Sequence, residues 1–183
     1  FNCGFCANQA KNYAEAAKYF DMAVKFNYNL DDSYTGEAMA YRNLNKTEEF
    51  FDTVEAGLKA LPGNANLEKM LYAYGIKQGQ AAQKKGDIET ATRMYKAVLN
   101  SSNKKHQEGA YQSLGGMLYN AGATKLNEIH PLATSDPDKY NTEKAKADAQ
   151  LKEAKGYLDK ALELNPNNAN AKKLVDAIAA TLK

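Results

Sequence analysis

Apolar residues recur along this chain at i, i+4 and i+7, the spacing that places three side chains on one face of an α-helix. Four stretches carry the pattern: NYAEAAKYFDMAVKFNYN, KTEEFFDTVEAGLKALPGN, GDIETATRMYKAVLNSSN and LKEAKGYLDKALELNPNN. The first marker is Ala16, Phe50, Ala91 or Ala154, and the second is Phe20, Val54, Tyr95 or Leu158. The third is Ala23, Gly57, Val98 or Ala161. Each stretch therefore presents one apolar stripe with polar residues around it. Pro62 and Pro166 close two of the four, because proline cannot continue a helix. No stretch alternates in the way a half-buried strand requires.

The copies are spaced by a ruler. Phe20 to Val54 is 34 residues, Val54 to Tyr95 is 41, and Tyr95 to Leu158 is 63. A unit of 34 residues made of two antiparallel helices resembles the tetratricopeptide repeat (TPR), and the residue types agree. YLDKALELNPNN is similar to the end of that family's second helix, and GDIETA to its inter-helix turn and following small residue. AYQSLGG, with Tyr111, Leu114 and Gly115, and NCG, with Gly4, are similar to its first helix. The resemblance spans nearly the whole chain. It implies an all-α fold, a right-handed α-α superhelix (solenoid) of helical hairpins, in a single domain. The repeats then fall at about 1–30, 31–64, 65–103 and 104–168.

The departures from the ruler predict where the chain is unusual. Seven extra residues in the second interval suit a lengthened first helix within NLEKMLYAYGIKQGQAAQKKG. The 29 extra in the last interval suit a hairpin whose two helices both grow outward, joined by the loop HPLATSDPDKYN. After Pro166, Leu174, Val175, Ile178 and Leu182 share one face of a segment that reads as a capping helix over 169–183.

Composition narrows the function. Lys and Arg number 24 against 22 Asp and Glu, a balance unlike the concentrated basic face of a nucleic-acid binder. No apolar run reaches bilayer length. The Lys-rich TEKAKADAQLKEAK interleaves both signs, as a solvated helix face does. His130, Ser135 and Asp136 are neighbours on a loop without the rigid turn a catalytic triad needs. No set of residues converges on catalysis, so the chain is expected to be no enzyme and to need no cofactor or metal.

Cys3 and Cys6 are the two cysteines. In the family's register they fall on packing positions, where a free cysteine behaves as a small apolar residue. A Cys3–Cys6 disulfide is the alternative, since residues i and i+3 of a helix approach within bonding range. Thiol redox chemistry would call for a βαβ context, and zinc for further ligands beyond the distant His106 and His130.

In the family, the first helix of each repeat lines a concave face that holds a peptide or partner helix. The resemblance carries that face onto Phe1, Asn2, Phe5, Asn8 and Gln9, then onto Thr35, Met39, Arg42 and Asn43. It continues through Ile76, Lys77, Gln80 and Lys84 to Gln112, Tyr119 and Asn120. The clamp by which chaperone-binding members hold a C-terminal carboxylate would fall on Phe1, Phe5, Gly36, Ala73 and Lys77, and four of these five lack the required side chain. The expectation is a protein–protein interaction module with a protein or peptide partner. A second expectation is an exported cell-envelope component, suggested by the Asn and Tyr content, the cysteine pair and the start at Phe1 rather than Met. That one would place the chain in a periplasmic compartment rather than the cytoplasm.

Overall fold

The structure is a computed structural model that describes residues 1–183. Every regular element is helical. Two compact units divide the chain, Phe1–Gly75 with Asn100–Asn103 and Ile76–Leu99 with Lys104–Lys183.

The first unit holds α1 (Asn2–Gln9), α2 (Tyr13–Lys25), α3 (Leu30–Asn43), α4 (Thr47–Ala60) and the first half of α5 (Ala65–Lys84). Local chemistry stops these helices abruptly. Lys11, Asn27 and Asn45 take left-handed backbone angles just past α1, α2 and α3. The next amide in each case reaches back five residues: Asn12 to the Ala7 carbonyl, Tyr28 to Ala23 and Lys46 to Tyr41. This closing turn satisfies carbonyls the helix leaves unpaired, and asparagine tolerates its left-handed residue better than most. Short turns then fold each helix back on its predecessor.

In this unit Ala16, Phe20, Ala23, Phe50, Val54 and Gly57 are all buried. Phe20 of α2 lies over Gly4 of α1 and Gly36 of α3; a Cβ on Gly36 would stand 2.6 Å from the ring. Phe50 packs on Tyr74 with ring centroids 4.3 Å apart. Glu68 accepts hydrogen bonds from the backbone amide and hydroxyl of Ser102, and Asn100 donates to Glu55 at 2.9 Å, tying residues 100–103 to this unit.

The second unit is built from the rest of α5, α6 (Ile88–Val98), α7 (Lys104–Ile129), α8 (Leu132–Ser135), α9 (Pro137–Leu164) and α10 (Ala169–Thr181). Asp87, Asp136 and Asn168 cap α6, α9 and α10 through bonds to the amides of Thr90, Lys139 and Ala171. The remaining markers are buried here as well: Ala91, Tyr95, Val98, Ala154, Leu158 and Ala161. Tyr95 leans on Gly79, where a Cβ would be 2.3 Å from the ring, and Leu158 on Gly115, where it would be 2.5 Å away. Leu174 and Val175 of α10, with Leu182 just past its end, pack against the core that contains Leu114 and Leu158.

Both lengthened elements are present: α5 has 20 residues against 14 in α3, and α7 and α9 have 26 and 28. The joining segment is shorter than HPLATSDPDKYN suggests. Pro137 opens α9 instead of extending the loop, because its fixed φ and missing N–H suit the first turn of a helix capped by Asp136. Leu132–Ser135 form one further helical turn.

One buried charge makes the first unit sensitive to pH. Glu37 on α3 is 8% exposed. Burial, and then the Asp21 carboxylate on α2, push its carboxyl up to about 7, against the opposing pull of Lys25 and the Tyr41 hydroxyl.

Two outcomes follow from this packing. Gly79→Ala should destabilise the chain by about 2–3 kcal/mol, the range for overpacking a filled core, because the Tyr95 ring is 1% exposed and hydrogen-bonded to Gln83 at 3.1 Å. Denaturant titration of the variant checks it. Folded Glu37 keeps a proton that the unfolded chain has released between pH 4.5 and about 7, so its contribution to stability is fully present below pH 4.5 and is lost as the pH rises to about 7. The loss is on the order of 2–3 kcal/mol. Glu37→Gln should flatten that slope and be the more stable protein at pH 8, as urea titrations at pH 5 and 8 would read.

Candidate functional site

The first helices carry the residues that the resemblance singles out, and each unit holds its own share. In the first unit these lie on α1 and α3, which neighbour one another. Phe5 is exposed on α1, and Asn8 is half-buried one turn on. On α3, Met39 is half-buried while Arg42 and Asn43 are exposed, and their spacing puts all three on one side of the helix with Thr35.

This pair of helices holds an unusual group of polar atoms. Asn8 Oδ1, Asp31 Oδ1 and Thr35 Oγ1 are withdrawn from solvent without a hydrogen-bond partner. Leaving such an atom unpaired typically costs about 1–3 kcal/mol, and since each has almost no surface of its own, a donor from another molecule reaches it only where the side chain rotates outward. The two oxygens of Asn8 and Asp31 are acceptors; the Thr35 hydroxyl can also donate. Nothing in the sequence pattern marks these atoms as unpaired, since only the packing withdraws them from water.

In the second unit, Lys77, Gln80 and Lys84 are exposed on α5. Gln112 and Tyr119 on α7 are half-buried. Tyr119 packs against the core. The Gln112 carbonyl accepts from Asn168 at 2.6 Å, and the same Asn168 amide reaches Glu108 at 2.8 Å while its own oxygen caps α10. Asn165 adds a second bond to Glu108. Gln112 thus anchors the terminal helix, a tertiary role that its position in the repeat does not announce.

A carboxylate clamp is sterically closed at one position: the Phe20 ring fills the space over Gly36, so the asparagine of that clamp has no room. His130, Ser135 and Asp136 are exposed, and the last two serve local turns: Ser135 donates to the Pro131 carbonyl and Asp136 accepts from the Lys139 amide. No three His, Cys, Asp or Glu side chains are grouped to hold a metal ion.

The cysteines require a correction. Cys3 and Cys6 are free and exposed, and do not occupy packing positions. Gly4 and Ala7 are the buried residues of α1, so the packed face lies one residue further along. The reason is Phe20, whose ring sits 3.1 Å from where a Gly4 side chain would begin and so turns that edge of α1 inward.

Two clefts were not anticipated. One of about 590 Å³ in the first unit is bordered by Phe1, Cys3, Tyr19, Met22, Phe26 and Tyr28. The other, of about 670 Å³ in the second unit, lies where α7 and α9 run on beside the α5–α6 turn, between Met117, Ile88 and Ala147 below and Lys125, Glu143 and Lys146 at the edge. At that edge the Lys146 and Lys125 ammonium groups hold the Glu143 carboxyl at about 2, so it stays ionised at neutral pH.

Asn168→Ala should lower stability by about 2 kcal/mol, from a lost helix cap and two acceptors left short of a donor. Hydrogen exchange should then quicken in α10 before it does in α7.

Comparison with known proteins agrees with this architecture. No protein-family model and no curated protein matches the chain. A crystal structure of a TPR repeats protein from Bacteroides fragilis NCTC 9343 superposes with a TM-score of 0.90 and 45% sequence identity, over 99% of this chain and 81% of that one. With hairpins of the same kind over essentially its full length, this chain belongs to the tetratricopeptide-repeat family.

Proposed function

We propose that the chain is a non-catalytic protein–protein interaction module that takes an extended peptide, or an extended segment of a partner protein, on the first-helix faces of its hairpins. Membership of the family supports the general role of a module for protein partners. The observation that carries the finer reading is the set of unpaired Asn8, Asp31 and Thr35 oxygens on α1 and α3, which small side-chain rotations would present to a partner, together with the apolar surface of Met39 on α3. A peptide backbone offers N–H donors at regular intervals and apolar side chains between them, which answers both features. Within the first unit Arg42 and Asn43 would supply polar contacts on α3, and within the second Lys77, Gln80 and Lys84 would do so on α5. Repeat boundaries near 30, 64, 103 and 168 with a terminal capping helix are part of this reading. No helix is long and apolar enough to cross a membrane.

Panning a random peptide display library against the chain tests the proposal. Binders should compete with one another and lose affinity at least roughly tenfold in Met39→Glu. Thr35→Val should weaken binding while leaving the free protein as stable or about 1 kcal/mol more so, because it removes an unpaired hydroxyl. Binders indifferent to both substitutions would overturn the assignment.

A further inference from the structure

The apolar surface of this chain is unevenly distributed. All of its exposed large hydrophobic side chains fall within the first 28 residues: Phe5 at 52%, Tyr19 at 37%, Met22 at 50%, Phe26 at 79% and Tyr28 at 60% exposure. They are continuous in space. Tyr19, Met22, Phe26 and Tyr28 border the 590 Å³ cleft with Phe1, and the Phe1 ring links Tyr28 at 5.8 Å to Phe5 at 6.0 Å. We propose that this α1–α2 patch is a self-association surface, on which a second copy of the chain packs through the same patch in a two-fold dimer.

Three features favour a second copy as the occupant. The first is area. At roughly 200 Å² per large side chain, the five keep on the order of 550 Å² in water. That is near the upper end for the largest apolar patch of a monomer and most of the ~800 Å² per partner of a stable interface. The second is charge. In a two-fold contact residue i meets j while j meets i, and a group on the axis meets its own counterpart, so a lining without charged side chains brings no like-charge repulsion across the axis. No Asp, Glu, Lys or Arg side chain lines this cleft; the polar side-chain groups there are those of Asn2 and Cys3 and the hydroxyls of Tyr19 and Tyr28. The third is composition: aromatic rings and methionine are the side chains enriched at the centres of protein interfaces. Pairing against the C-terminal helix is disfavoured, because α10 exposes Lys172, Lys173 and Asp176.

Sedimentation equilibrium of the 183-residue chain, from low to high micromolar concentration, decides the matter. The expected result is a reversible rise to twice the 20.1 kDa of one chain. Met22→Lys with Phe26→Lys should weaken association by at least roughly tenfold. The circular dichroism and melting temperature of the monomer should not change, since both side chains lie outside the core. Phe26→Ser alone should give a smaller loss. A wild-type chain that stays at 20.1 kDa throughout, or a double variant that associates as well as wild type, would overturn the proposal. A longer form of the polypeptide that remains monomeric where this chain dimerises would also overturn it, by giving the patch to another segment of the same chain.

Discussion

The fit of a large side chain into a space kept open by glycine on the facing helix is the contact on which the rest of this molecule depends. Phe20 over Gly4 and Gly36, Tyr95 over Gly79 and Leu158 over Gly115 are the same device at three places. Without a Cβ, the facing backbone comes close enough for the large side chain to be enclosed, and close approach multiplies dispersion contacts that are individually weak. These large residues are all but fully buried. The device also sets the rotation of the first helix about its own axis. That rotation decides which residues are left for solvent or for a partner, and it explains why Gly4 and Ala7 face inward on α1 while Cys3 and Cys6 face out.

Polar chemistry works at the seams that apolar packing cannot close. Glu68 secures the segment after α6, and the Asn168–Glu108–Gln112 group secures the start of α10. Such buried groups fix geometry more than they add stability, because each has had to give up water. The unpaired oxygens on α1 and α3 are the complementary case. They have given up water with no partner in return. Glu37 stands between the two: it is bonded to Tyr41, yet buried near Asp21, and so carries a carboxyl tuned to neutral pH.

The long α7–α9 hairpin shows how an insertion enters a repeat without disturbing it. Gly122 faces Leu151, with a Cβ position 2.9 Å away, in the stretch where these helices exceed the standard length. The added turns continue the same small-against-large pairing outward. Ala147 and Leu151 remain buried while the Lys144–Asp148 pair lies half-buried beside them. Extra sequence has become extra hairpin, and the second cleft lies beside it.

Much of this was legible in order along the chain. The i, i+4, i+7 markers named twelve buried positions, and the intervals between them located both lengthened elements, because helical period and repeat length are local properties of sequence. Proline was read less well at the hairpin tip, where Pro137 starts α9 instead of prolonging a loop. The cysteines, Gln112, the unpaired oxygens and the α1–α2 aromatic surface were not legible. A residue's helical position says which neighbours it has along the chain, whereas burial and hydrogen bonding depend on what another helix brings against it. The sequence by itself determined the helical type of the elements and the spacing of their apolar markers, since those follow from periodicity and turn chemistry. Only the tertiary structure decided which polar atoms lack partners and which aromatic rings stay in water, since both depend on the last few ångströms of helix-to-helix approach.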